Sequence, residues 1–125
     1  MNLFSDYQKK IFNSLKILER KKIIQISSKS KSITIELPPK NQKADMSCNA
    51  AMILAKANNS SPDKLAEILK KHFLLSFKEF KNIEIAKPGF LNMFLLIYFF
   101  EFFNKCLKRS FIILLPLLAL VITFL

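Results

Sequence analysis

The chain has 125 residues, a formal net charge of +11 and a pI near 9.8, which suits one domain with a real core and a polyanion or anionic membrane surface as partner. Its cations are nearly all lysine, and Ile, Asn and Phe are abundant beside a single glycine. That is the usage of an AT-rich coding sequence, so the charge by itself does not name a partner. Cys48 and Cys106 are far apart with no CxxC pair, and His72 is the one histidine, which argues against a disulfide framework and against a zinc site. The first residues lack a charged stretch followed by an apolar run, so no secretory signal is expected and the cytoplasm is the expected location.

Phe4, Tyr7, Ile11, Leu15 and Leu18 recur at spacings of three and four, which predicts an amphipathic helix over residues 2–20. Lys21–Ile26 follows as a candidate short strand, and the Ser/Lys run 27–32 reads as a loop. Ile33, Ile35 and Leu37 alternate with polar residues until Pro38-Pro39 stops them, the pattern of a half-buried strand. Asp45 or Ser47 is positioned to cap a helix running through Asn49–Lys56. Ser61 and Pro62 supply a second cap and first turn, and Leu65, Ile68, Leu69 and Phe73 form the stripe of a third helix. His72 stands near its end beside Lys70 and Lys71, a place for a solvent-facing or dipole-related group rather than a catalyst.

Ile83-Glu84-Ile85 is another half-buried strand, and Lys87-Pro88-Gly89 predicts a sharp turn. Pro88 fixes its own φ, and Gly89 is free to take a positive one. The chain then returns as a strand with Leu91, Met93 and Leu95 on one face and Phe90, Asn92 and Phe94 on the other. If the first set is core, an aromatic ring and an amide face outward together. Residues 1–95 therefore read as α+β, a small antiparallel sheet with helices packed on one face.

Residues 96–125 differ in kind, an apolar tail expected to be helical. The uncharged segment 110–125 is shorter than the roughly 20 residues a membrane span needs, although tilt or thinning accommodates it. Lys105, Lys108 and Arg109 would then hold the body on the cytoplasmic face of the membrane. Three readings stand for this tail: a membrane anchor, a helical hairpin on the body, or an out-of-frame continuation, the last preferred.

Taken in order, Ile35-Glu36-Leu37-Pro38-Pro39, Asp45, Asn49-Ala50-Ala51-Met52-Ile53-Leu54-Ala55-Lys56, Pro62 with Leu65-Ala66, and Pro88-Gly89-Phe90-Leu91-Asn92 resemble the N-terminal additional domain of arginyl-tRNA synthetase. The resemblance covers residues 1–95 and departs where the family usually has Gly-Asp and this chain has Ala44-Asp45. It implies a domain that grips the elbow of the arginine-acceptor tRNA. Phe90 and Asn92 match the aromatic and amide that meet a D-loop base, by the stacking and edge bonding common in single-stranded RNA recognition. Lys87 beside the turn is a candidate phosphate contact.

ATP and arginine belong to the full-length family. This chain has no His-Ile-Gly-His signature, no paired carboxylates and no Ser/His set, so no catalytic residue, cofactor or metal ligand is expected in it. Ser28-Lys29-Ser30-Lys31-Ser32 faintly resembles the family's mobile Lys-Met-Ser-Lys-Ser loop but lies inside the accessory region, where a solvated loop explains it. A separately encoded catalytic fragment is a further expected partner. The competing class is a small basic interaction protein tethered to a membrane through residues 110–125.

Overall fold

The computed structural model of the protein describes residues 2–96. Helix α1, Leu3–Arg20, starts where the Asn2 side chain accepts hydrogen bonds from the Phe4 and Ser5 amides at 3.2 and 3.4 Å, donors that the first turn of a helix leaves unpaired. It buries Tyr7, Ile11, Leu15 and Leu18, the face that the spacing predicts.

Lys21–Ile26 forms no strand. Gln25 instead has its backbone held by one side chain: its N–H donates to Asn58 Oδ1 at 2.7 Å, and Asn58 Nδ2 donates to its carbonyl at 2.9 Å. A primary amide carries one acceptor and two donors, so Asn58 does for this residue what a neighbouring strand does in a ladder. The Ser/Lys run winds into a short 3₁₀ turn at Ser28–Ser32.

Strand β1 is only Ile35–Glu36. Leu37, expected to be half-buried, is 72% exposed because the strand has already ended at the sheet edge. A strand that the sequence pattern does not announce, β2 at Met46–Cys48, lies where the start of a helix was expected. Helix α2 is correspondingly short, Ala50–Ala55. Asp45 does not cap it; Asp45 Oδ2 accepts from the Leu95 amide at 2.8 Å, while Asp45 N–H donates to the Met93 carbonyl. Asp45 thus pins the last strand to the chain entering β2, so the Ala44-Asp45 departure falls at a strand start.

Helix α3, Pro62–Ser76, begins as expected with Ser61 Oγ accepting from the Lys64 amide and Pro62 in the first turn. Leu65, Leu69 and Phe73 are buried, but Ile68 is 41% exposed. Strands β3, Phe80–Ala86, and β4, Phe90–Leu95, form the predicted hairpin. The antiparallel sheet has the order β1-β2-β4-β3.

Register sorts the side chains by face. Ile35, Cys48, Leu91 and Ile85 lie in one cross-strand row, and Met46, Met93 and Ile83 in the next. These rows pack with Ile11 and Leu15 of α1, Leu54 of α2, and Leu65, Leu69 and Phe73 of α3 in one core, so the helices cover one face of the sheet, as expected. No helix among the described residues is long and apolar enough to cross a membrane. The tail readings, including the span at 110–125, fall outside the described residues, as does Cys106.

Candidate RNA-contact site

The hairpin turn brings Lys87 and Phe90 together. The Gly89 amide donates to the Ala86 carbonyl at 2.9 Å and Gly89 takes a φ of +152°. The Lys87–Pro88 peptide bond is cis. Lys87 is exposed and Phe90 half-buried, and both border a groove of about 400 Å³ with Thr34, Glu36, Pro38 and Gln42. An aromatic residue, a lysine and the loop after β1 thus border one groove.

Asn92 occupies the face that no helix among the described residues covers, as the alternation predicts, yet it is only 5% exposed. It does not stand free in water. Its cross-strand neighbours are Ser47 on β2 and Glu84 on β3, and Ser47 in turn pairs with Glu36 on β1. A polar row, Glu36-Ser47-Asn92-Glu84, therefore crosses the whole sheet opposite the apolar core rows.

The connection from β1 to β2 folds over this row. Asn92 Nδ2 donates to Gln42 Oε1, and Asn92 Oδ1 is buried without a partner among the described residues. Asn92 borders a second groove of about 460 Å³ with Gln42, Lys43, Ala44, Glu84 and Phe94. Phe90 and Asn92 thus lie in neighbouring grooves, with Gln42 on the border of both. No sequence signal singled out Gln42, since a glutamine in a polar loop has no periodicity to betray it.

Electrostatically the face is mixed. Lys43 and Lys87 are matched locally by Glu84 and Glu36 on the same two groove walls, so the excess positive charge of the chain is not concentrated here. Such a surface suits the uncharged face and edge of a nucleobase better than a run of phosphates.

The other residues singled out have structural places. Cys48 is fully buried in the core, where burial pushes its thiol up to about 12, keeping it protonated and unreactive. No cluster of metal-ligating side chains occurs among the described residues.

His72 lies four residues before the end of α3, half-buried, with Nε2 3.4 Å from Ser76 Oγ. Its pKa is lowered, first by burial and then by the charge of Lys21, against a raising contribution from a backbone hydrogen bond to Ser14. A histidine depressed in the folded state contributes stability above its unfolded value, about 6.5, that is lost as pH falls through the folded value. The denaturation midpoint is therefore expected to drop modestly between about pH 7.5 and about pH 5, and His72→Gln to flatten that part of the profile. Chemical denaturation at both pH values checks it.

Residues 5–95 match the family described as the arginyl tRNA synthetase N terminal domain. The chain belongs to this family. It is 35% identical to the arginine–tRNA ligase of Pelagibacter ubique (strain HTCC1062) over 110 residues, covering 88% of this chain and 19% of that protein. It is 38% identical to the arginine–tRNA ligase of Wolbachia pipientis wMel over 109 residues, covering 87% of this chain and 18% of the relative. The chain thus spans less than a fifth of the length of these ligases, the part that corresponds to an accessory domain. Both alignments are longer than the stretch from residue 1 to residue 95, so they run past Leu95, where the sequence reading ended the resemblance.

Proposed function

We propose that this arginyl-tRNA synthetase accessory domain holds an arginine-acceptor tRNA at its elbow, stacking a D-loop base on Phe90, bonding its edge through Asn92 and steadying the backbone with Lys87. The observation that carries this reading is the sheet face opposite the core, where the half-buried Phe90 ring and Lys87 share one groove beside the polar row that contains Asn92. Family membership supports it. In this reading the chain has no catalytic residue and binds neither ATP nor arginine; aminoacylation belongs to a catalytic body, on the same polypeptide or on a separate one, and the work is cytoplasmic.

The division of labour follows from the groove. A ring gives a sequence-tolerant π surface, an amide gives a donor and an acceptor, and a lysine gives a charge without direction. Phe90→Ala is expected to weaken binding of the arginine-acceptor tRNA by about tenfold, since one base–aromatic stack is worth about 1–3 kcal/mol. Lys87→Ala is expected to have a smaller effect that disappears at high salt, because a single phosphate contact acts through counterion release. Equilibrium binding of the full chain to the tRNA at two salt concentrations measures both. Equal affinity for wild type and Phe90→Ala at both would remove the base contact and leave only charge.

A further inference from the structure

Gln42 stands at the boundary between the surface offered by Phe90 and that offered by Asn92. The two residues open onto separate grooves, and Gln42 borders both. We propose that Gln42 is a specificity-determining lid, closed on Asn92 in the free domain and displaced by the edge of the incoming nucleobase. This inference rests on the RNA reading above and adds how the site admits its ligand.

The hydrogen-bond state of Asn92 is the reason. Its Nδ2 donates to Gln42 Oε1, while its Oδ1 is buried with no partner among the described residues, an expensive state for a carbonyl oxygen. A ligand that only supplies an acceptor, such as a phosphate oxygen, exchanges one bond for another and leaves Oδ1 orphaned. An unpaired nucleobase presents a donor beside an acceptor on its edge, so it replaces Gln42 on Nδ2 and also satisfies Oδ1. The exchange is one bond for two. Glu36 and Glu84 at the ends of the polar row further disfavour a phosphate.

Gln42 is built to move. It is half-buried, lies between the exposed Asn41 and Lys43, and sits at the end of a turn closed by its own amide on the Pro39 carbonyl at 2.9 Å. Gln42 is not among the residues of the packed core, whereas Asn92 is fixed in the middle of the sheet between β2 and β3.

A closed lid lowers apparent affinity by the fraction of molecules that are open. Gln42→Ala in the full chain is therefore expected to bind arginine-acceptor tRNA about threefold or more tighter at fixed salt. The loss caused by Asn92→Ala is expected to be larger in the Gln42→Ala background than in the wild type. Unchanged or weaker binding of Gln42→Ala, in a series where Phe90→Ala does lose affinity, overturns the lid and leaves the RNA site standing. Phe90→Ala binding like the wild type overturns the site and the lid with it. Matching circular dichroism spectra and melting temperatures for the variants confirm that the comparison is between folded proteins.

Discussion

Gly89→Val is expected to lower the melting temperature by more than 10 °C, although it adds only three carbons at a surface hairpin. Two costs combine. Gly89 holds a φ of +152°, where a side chain costs about 1–3 kcal/mol. A Cβ built there would lie 2.7 Å from Pro62 Cβ, 3.3 Å from Met52 Cγ and 3.4 Å from the Pro62 carbonyl carbon, an overpacking worth about 1–3 kcal/mol more. Pro62 cannot step aside, because its ring is the first turn of α3 and moving it moves the helix.

For a domain of this size each kcal/mol shifts the midpoint by about 4–8 °C. Thermal melts followed by circular dichroism read the effect, and a fall of less than a few degrees would mean that α3 is not anchored at Pro62. The substitution also disturbs Lys87 and Phe90 on either side of the turn, so the RNA reading proposed above expects tRNA affinity to fall with stability although Gly89 itself has no side chain to offer. The absence of a Cβ at Gly89 is what lets the hairpin lie against the start of α3.

The second large effect is expected at Phe73, which is fully buried on α3. Its ring is one of a series: Phe73 lies 6.1 Å from Phe77, Phe77 lies 5.3 Å from Phe80, and Phe80 lies 5.7 Å from Tyr7. The series joins α3 to β3 and α1, and Tyr7 closes it with a hydrogen bond from its hydroxyl to Glu79 Oε1 at 3.2 Å. Phe73→Ala leaves a cavity where three elements meet and is expected to cost about 3–5 kcal/mol, a large part of the stability of a small domain. Phe73→Leu keeps most of the volume and is expected to cost less than about 1.5 kcal/mol. Urea denaturation of the pair tests the packing argument, since equal losses would mean that volume is not what Phe73 supplies.

How legible the molecule was depended on whether a residue's role is local. The faces of α1 and of β4 could be read because a period of 3.6 or of 2 survives in the sequence. Ser61 with Pro62, and Pro88 with Gly89, could be read because caps and turns use the chemistry of adjacent residues. Strand β2 could not, since Met46-Ser47-Cys48 is buried throughout and shows no alternation, and it runs into a helix without a break. Lys21–Ile26 has the composition of a strand, but Asn58, thirty-three positions away, occupies its hydrogen-bonding groups. Ile68 has a core spacing but sits at the edge of the stripe, where a neighbour is needed to cover it and none among the described residues does.

The candidate site divides along the same line. The sequence by itself determined that Phe90 and Asn92 share a strand face opposite Leu91 and Met93, and that a glycine turn precedes them, because backbone pleat and steric freedom are properties of the local chain. Only the tertiary structure decided that this face is roofed by the loop carrying Gln42, that Asn92 is flanked by Ser47 and Glu84, and that the Phe90 ring opens onto a different groove from the amide. Those relations come from segments far apart in the chain meeting through strand register and loop placement, and side-chain periodicity carries no record of which loop crosses which face.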